Sequence, residues 1–218
     1  MKEKIYSYES GDIKVTWDLF KCIHAEECVK GLPEVFDINK KPWIQPEQAS
    51  ADDLADVIKR CPTGALQFER LDGGEAESNP EKNVITLVND GPAYISGNIV
   101  IKDAEGGVLA KETRAAFCRC GLSKNKPFCD NSHKKGEWKC GVDYNPERLL
   151  LEETDDMGGE LSVTIKPNAS FVIEGNYELV GGDQQVNTAK KMSYCRCGAS
   201  ENKPFCDGTH KKIGFTTD

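Results

Sequence analysis

The chain has 218 residues, a formal net charge of −8 and a hydrophobic content of 38%, with a mean hydropathy of −0.54. This length fits one or two small domains, and the lean apolar content predicts a water-soluble protein that bound metal would help to stabilise. The acidic charge disfavours nucleic-acid binding. Neither a signal peptide nor a long apolar span is found, so we expect no membrane association and a reducing, cytoplasmic location for the ten cysteines.

The N-terminal part of the chain has the pattern of a compact α+β unit. Alternating or helically spaced apolar residues, with Ser50 as an N-cap, mark its elements. These are a strand at 13–17, a short helix at 25–31, a helix at 51–60 and a last strand at 65–68. The order places Cys61 at the end of a helix.

Three cysteines of this unit form a metal-binding pattern. Cys22 and Cys28 have the spacing of a bacterial ferredoxin run Cys-x2-Cys-x2-Cys whose middle cysteine is replaced by Ala25, and Cys61-Pro62 comes later in the chain. Three cysteines suit a [3Fe-4S] cluster, whereas His24 or another group could complete a [4Fe-4S] cluster, with His24 the weaker candidate. The alternative is a ferredoxin-like fold without metal, in which the cysteines are small buried side chains.

The same segment, roughly residues 5 to 70, resembles the divergent single-cluster ferredoxin domain that is often joined to CDGSH modules. We therefore expect a ferredoxin-like domain over residues 1–72. Residues 73–83, rich in glycine and acidic residues, predict an exposed linker to a second domain over 84–218.

The second domain contains an internal repeat. Residues 84–88 and 161–165 predict equivalent strands, and Ile95-Ser-Gly-Asn-Ile99 matches Ile173-Glu-Gly-Asn-Tyr177 at an offset of 78. The repeat predicts a duplicated β unit whose halves exchange strands about a pseudo-two-fold axis within one monomeric chain. Residues 152–159 would be the loop that connects the halves.

A run of sixteen residues, 118–133, returns as 195–210. Each copy offers three cysteines and one histidine, which are Cys118, Cys120, Cys129 and His133 in the first and Cys195, Cys197, Cys206 and His210 in the second. Zinc and iron–sulfur clusters both accept this set of ligands. Cysteines one residue apart can bind one metal atom, and an N-cap at Asp130 or Asp207 would bring the i and i+4 ligands onto one helix face.

The pattern Cys-x-Cys-x2-Ser-x3-Pro-x-Cys-Asp-x-Ser/Thr-His resembles the CDGSH iron–sulfur domain of the NEET proteins, in the tandem form of the mitochondrial inner NEET protein. The resemblance implies a mainly β fold with one [2Fe-2S] cluster per motif. In each motif, the two cysteines of Cys-x-Cys would share one iron, and the third cysteine and the histidine would hold the other. The first copy departs from the family at Asn131, where glycine is usual; asparagine tolerates positive φ, so we expect the turn to be kept.

Three functions fit these residues. The first is electron transfer or cluster transfer to an unidentified redox or acceptor protein, in which a histidine ligand raises the reduction potential and makes cluster retention sensitive to pH. The second is an interaction module held together by zinc, although zinc motifs more often pair cysteines as Cys-x2-Cys. The third is the electron-transfer subunit of a larger oxidoreductase. No nucleophile–base pair or nucleotide loop is visible, so we expect no catalytic activity of its own. Cys140 is left over and predicted to be structural.

Overall fold

The computed structural model describes residues 2–149 and 156–217. Contacts between residues divide the chain into two compact units, residues 2–78 and residues 79 onward. The fold is mixed α+β, with eleven strands and four short α-helices in the described part of the chain. This composition agrees with the predicted fold class.

The N-terminal unit is a three-stranded antiparallel sheet packed against one helix. Its strands lie in the order β1-β2-β3. The elements are β1 (Ile5–Glu9), β2 (Ile13–Asp18), α1 (Glu27–Gly31), α2 (Ala51–Lys59) and β3 (Leu66–Arg70). The predicted strands and helices are confirmed to within a few residues, whereas β1 was not predicted because its side chains are largely exposed and show no apolar alternation.

The core of this unit lies between α2 and the sheet. Ser50 caps the helix as predicted, since its Oγ accepts a hydrogen bond of 3.1 Å from the Asp53 N–H. Leu54 and Ile58 on the buried face are fully enclosed, and each contributes about 1.5–3 kcal/mol through burial. The end of α2 leaves Cys61 at the start of the turn that enters β3.

The second unit is an eight-stranded sheet followed at two places by a single turn of helix. The strands are β4 (Val84–Leu87), β5 (Ala93–Lys102), β6 (Val108–Phe117), β7 (Glu160–Ile165), β8 (Phe171–Glu174), β9 (Tyr177–Gly181), β10 (Gln184–Thr188) and β11 (Met192–Tyr194). The helices are α3 (Ser132–Lys135) and α4 (Thr209–Lys212). The strand order is β10-β9-β4-β5-β7-β8-β11, with β6 on β5.

The two repeats of this sheet pair with each other in the same way. Val84 of β4 lies opposite Ser96 in an antiparallel ladder and opposite Glu178 of β9 in a parallel ladder. At the predicted offset of 78, Ser162 of β7 lies opposite Glu174 in an antiparallel ladder and opposite Val100 of β5 in a parallel ladder. The first strand of each repeat therefore pairs both with its own repeat and with the other one.

Asn83 holds the crossing point of the two repeats. Its side chain accepts a hydrogen bond of 2.9 Å from the Asn98 N–H and donates one of 2.9 Å to the Asn176 carbonyl. The residue is 1% exposed, so the exposed segment predicted for 73–83 ends before it. The predicted connecting loop at 152–159 falls partly on residues 150–155, which lie outside the described residues.

Five aromatic rings pack in a continuous row that links the two cysteine-rich runs. Neighbouring ring centroids lie 5.3–5.8 Å apart. In order, the rings belong to Phe128, Phe117, Phe171, Tyr194 and Phe205. Four of the five immediately precede a cysteine of the repeated runs. The packing of this row therefore helps to fix the positions of those cysteines relative to the sheet.

Candidate metal centres

The first cysteine-rich run brings its donors together in two pairs. The Sγ atoms of Cys118 and Cys120 are 3.6 Å apart, and the Sγ of Cys129 lies 3.5 Å from Nδ1 of His133. All four side chains are buried. The charge of Cys118 acts on Cys129 and that of Cys129 acts on Cys120, so the two pairs are close neighbours.

The second run repeats this geometry with more exposure. Sγ of Cys195 lies 3.8 Å from Sγ of Cys197, and Sγ of Cys206 lies 3.4 Å from Nδ1 of His210. Cys197 and Cys206 are half-buried, whereas their counterparts in the first run are buried. Solvent and partner molecules therefore reach the donors of the second run more easily.

The donors remain in pairs and do not converge. Two thiolates bound to one tetrahedral metal at about 2.3 Å are about 3.8 Å apart, so both Cys-x-Cys pairs are at the distance that one shared metal atom requires. Among the described residues, no three His, Cys, Asp or Glu side chains are arranged around a point that a single metal ion could occupy.

In each run, an aspartate stabilises the pair formed by the third cysteine and the histidine. Asp130 accepts hydrogen bonds from the N–H groups of Lys124 (2.8 Å) and Ser132 (3.0 Å). Asp207 accepts the equivalent bonds from Glu201 and Thr209, both at 2.9 Å. These bonds tie the loop after Cys-x-Cys to the helical turn that carries the histidine. The signal for this role was the presence of aspartate at the same position in both runs.

The helix starts differ from the prediction in one respect. The N-caps of α3 and α4 are Asn131 (φ 66°) and Gly208 (φ 87°), both left-handed, and the predicted caps Asp130 and Asp207 lie one residue earlier. The aspartates bond to the N–H two residues on, which is an Asx turn. Asn131 adopts the positive φ that was expected of it, so the turn is kept without glycine.

Burial controls the protonation of the donors. Desolvation raises the pKa of Cys129 to about 12 and that of Cys195 to about 11. In the Cys118–Cys120 pair, their mutual hydrogen bond lowers the pKa of Cys118 and raises that of Cys120. Burial, followed by the charge of Lys134, lowers the pKa of His133. Several thiols must therefore lose protons when metal binds, whereas His133 already favours the neutral form that a metal needs.

The two runs touch at their Cys-x-Cys loops. A Cβ atom on Gly121 would lie 2.5 Å from the backbone oxygen of Cys197, and one on Gly198 would overlap the backbone oxygen of Cys120. Nε1 of Trp138, which follows the first run, also donates a hydrogen bond of 3.2 Å to the Gly198 carbonyl. The two sites lie side by side, which the sequence repeat alone did not reveal.

The N-terminal unit gathers its three cysteines around one cavity of about 580 Å³. Cys22, Cys28 and Cys61 line it together with Ala25 and His24. Burial, followed by the charge of Cys61, raises the pKa of Cys28 to about 11. Sγ of Cys61 lies 3.5 Å from the hydroxyl of Thr63. The predicted residues thus share one site, although His24 is exposed and has a left-handed backbone (φ 53°).

Comparison with known families separates the same two regions. Residues 8–70 match the model of the divergent 4Fe-4S mono-cluster domain, and residues 90–134 and 168–211 each match the iron-binding zinc finger of CDGSH type. The chain belongs to the CDGSH iron–sulfur family. Within that family it is a tandem CDGSH protein with an N-terminal 4Fe-4S mono-cluster domain.

Relatives of this tandem CDGSH protein are found in Escherichia coli. The protein named "Uncharacterized protein YjdI" in strain K12 and in O157:H7 is 34% identical over 61 residues, which is 28% of this chain and 80% of the relative. No solved structure matches the chain. No helix in the described part of the CDGSH protein is long and apolar enough to cross a membrane.

The donors of the CDGSH protein fit an iron–sulfur group. Both CDGSH motifs supply three thiols and one imidazole, the soft and intermediate donors that iron–sulfur clusters accept. Most of them are shielded from water, which would protect the sulfide of a bound cluster from exchange. The half-buried Cys140 lies outside both motifs, with its Sγ 3.2 Å from the Gly141 carbonyl, and its structural role stays a prediction.

Proposed function

We propose that this protein holds two [2Fe-2S] clusters, one in each CDGSH motif, and transfers electrons or clusters to a partner protein. The observation that carries this proposal is the division of each set of donors into two pairs, at 3.6 and 3.5 Å in the first motif and at 3.8 and 3.4 Å in the second. A binuclear cluster needs two donors on each metal, whereas mononuclear zinc needs four donors around one point.

Each pair has a separate part in this proposal. Cys118 and Cys120 would hold one iron, and Cys129 and His133 the other; Cys195 and Cys197 would hold one iron of the second cluster, and Cys206 and His210 the other. A bound [2Fe-2S] cluster would supply one-electron redox chemistry. Nδ1 of each histidine faces its cysteine. A proton that binds this nitrogen would compete with the iron held by that cysteine and histidine, and would weaken its binding.

We propose a third cluster, [3Fe-4S] or [4Fe-4S], on Cys22, Cys28 and Cys61. The shared cavity and the mutual electrostatic influence of the three thiols support it. His24 lines the same cavity and remains the candidate for a fourth ligand of a [4Fe-4S] cluster. Extra cluster capacity in one chain suits a carrier that accepts and passes on single electrons.

The finer architecture belongs to the same proposal. The matched ladders of β4 and β7 support a pseudo-two-fold axis between the repeats and a monomeric chain. The three strands and two helices of the first unit support a ferredoxin-like fold, with the domains at 1–72 and 84–218 joined by 73–83. A cytoplasmic location would keep the ten thiols reduced. We propose no membrane or nucleic-acid partner and no catalytic activity; service within a larger oxidoreductase is compatible with electron transfer.

The content of the purified protein tests the proposal. We expect iron and acid-labile sulfide for two [2Fe-2S] clusters and one larger cluster, with visible absorption that bleaches on reduction. EPR of the oxidised protein would reveal a [3Fe-4S] cluster, and EPR of the reduced protein the others. A colourless protein with stoichiometric zinc and no sulfide would instead establish a zinc-held interaction module.

Replacement of the histidine ligands separates electron transfer from cluster transfer. With His133→Cys and His210→Cys together, we expect clusters to be kept with a lower reduction potential and to resist mild acid, since thiolate replaces a protonatable imidazole. Cluster absorbance is followed from pH 8 to 5, with transfer to an apo-ferredoxin measured in parallel. Loss of clusters at the same pH as in the wild type would exclude the histidines as release sites.

A further inference from the structure

The middle residue of each Cys-x-Cys loop is a buried arginine. Arg119 and Arg196 are both 4% exposed. Arginine is seldom buried to this extent unless it is paired, because its charge loses the stabilisation of water. Two such residues at equivalent positions call for a buried negative charge that compensates them.

The hydrogen bonds of the two guanidiniums do not provide that charge. Arg119 donates from Nε to the Gly91 carbonyl (2.9 Å) and from Nη2 to the Val88 carbonyl, and its guanidinium lies 5.5 Å from the ring centroid of Trp138. Arg196 donates from Nη1 to the Lys166 carbonyl (3.0 Å). These acceptors are neutral backbone oxygens. They fix the direction of each side chain without neutralising it.

Each guanidinium also has one buried nitrogen that donates no hydrogen bond. Nη1 of Arg119 and Nε of Arg196 are buried and have no hydrogen-bond partner in the structure. A buried donor without a partner costs about 1–3 kcal/mol. Two equivalent cases in one chain indicate a missing acceptor next to the metal-binding loops, and the sulfur atoms of a cluster or of its ligands are acceptors.

The influence of the two arginines crosses between the motifs. Arg119 belongs to the first motif and interacts electrostatically with Cys140, Asp90 and Cys120 of the same half, yet it also interacts with Cys195 of the second motif. Burial lowers the pKa of Arg196 to about 10, and the charge of Cys118 in the first motif opposes that shift. Crossing is possible because the loops touch at Gly121 and Gly198.

Asp90 places one negative charge near Arg119, and the expected clusters would add negative charge next to both arginines. A [2Fe-2S] cluster with three thiolates and one neutral imidazole has a formal charge of about −1 when oxidised and about −2 when reduced. One buried cation beside each cluster balances the oxidised state. It also favours the extra negative charge of the reduced state, since the interaction is weakly screened in a buried site.

We propose that Arg119 and Arg196 are a crossed pair of positioning residues, each of which stabilises negative charge at both [2Fe-2S] centres and raises both reduction potentials. The proposal rests on the proposed function, because it requires clusters in both CDGSH motifs. Its distinctive consequence is that one arginine affects the centre of the other motif.

The test is a redox titration of the cluster-loaded protein, followed by visible absorption and EPR. We expect Arg119→Met and Arg196→Met each to lower the ratio of reduced to oxidised cluster about tenfold at a fixed potential, which corresponds to about 59 mV for one electron. Arg119→Lys keeps the charge and should recover most of the loss. Lys135→Met removes a charge from an exposed side chain of α3 and should shift the ratio less than threefold.

A second background resolves which centre is affected. His133→Cys gives the first centre a different spectrum and a lower potential, so the second centre titrates separately. In this background, Arg119→Met should still lower the reduced fraction of the second centre. A shift confined to the first centre, or none in either, would overturn the crossed role.

Two outcomes distinguish this proposal from the function on which it depends. Wild-type protein that contains zinc and no sulfide overturns both. Wild-type protein with both clusters, combined with unshifted Arg119→Met and Arg196→Met titrations, overturns the arginine proposal alone. If Arg119→Met does not load clusters, the redox titration is made on Arg196→Met. Arg196 donates a hydrogen bond to one backbone carbonyl and Arg119 to two, so the loss of Arg196 should disturb the fold less.

Discussion

The contact between the two Cys-x-Cys loops leaves no room for a side chain at Gly121. A Cβ atom there would lie 2.5 Å from the backbone oxygen of Cys197, whereas real Cβ atoms essentially never come within 3.0 Å of another heavy atom. The backbone is also left-handed, with φ +79°. We therefore expect Gly121→Ala to destabilise the CDGSH unit for two separate reasons.

Gly106 provides the matched control. It lies in the same unit with φ +92°, and nothing lies within 4 Å of a Cβ built on it. Gly106→Ala should cost only the left-handed backbone term, about 1–2 kcal/mol. Gly121→Ala should cost that amount plus about 1–3 kcal/mol for the forced displacement of the opposite loop.

The assay is thermal unfolding of the cluster-loaded variants, followed by far-ultraviolet circular dichroism and cluster absorbance at one scan rate. The additional 1–3 kcal/mol corresponds to a Tm lower by about 2–12 °C in Gly121→Ala than in Gly106→Ala. Cluster absorbance should also be lost earlier in Gly121→Ala, because the displaced loop carries two donors. Equal Tm values for the two variants would refute the loop contact.

Three further predictions concern the N-terminal unit. Ala25→Cys should restore a four-cysteine site and raise the iron content from three to four per cluster if the wild type holds [3Fe-4S]; unchanged iron and EPR would show that this position does not reach the cluster. Ser50→Ala should lower the free energy of unfolding, measured in urea, by about 1 kcal/mol, because the N-cap hydrogen bond from the Asp53 N–H is lost. An unchanged free energy of unfolding would contradict this role of Ser50. The Arg70 guanidinium lowers the pKa of Asp72 to about 2, so this carboxylate should stabilise the fold above about pH 4 and lose that effect as pH falls towards 2. Carbon-13 NMR of the carboxyl group should show the low pKa, and Arg70→Gln should return it towards about 3.9; an unchanged pKa in that variant would contradict the assignment.

Local chemistry explains why part of the fold followed from the sequence. Asparagine is tolerant of positive φ, so the turn at Asn131 could be predicted from one residue, and Ser50 capped its helix as its side chain suggests. The repeat at an offset of 78 likewise predicted a duplicated β unit, and the equivalent ladders of β4 and β7 agree with that prediction. These features depend on a residue and its near neighbours, or on a pattern that occurs twice in the sequence.

The remaining features depend on contacts between distant segments. β5 runs unbroken through Gly97, whereas the equivalent stretch breaks at Gly175 into β8 and β9, although both stretches contain Ile-x-Gly-Asn. Arg119 lies in a polar run where an arginine is ordinarily solvated. It is buried and hydrogen-bonded to the carbonyls of Val88 and Gly91, which lie 31 and 28 residues earlier in the chain, and no local pattern shows that.

The pairing of strands between the two repeats also has a consequence for assembly. A homodimer with the same pairing would come apart on dilution, so its clusters would be less secure when the protein is scarce. Here the polypeptide itself tethers the halves, and their effective concentration does not vary with expression level. Fusion also frees each half to mutate alone, and the greater solvent access of Cys197 and Cys206 shows that the two halves have already diverged.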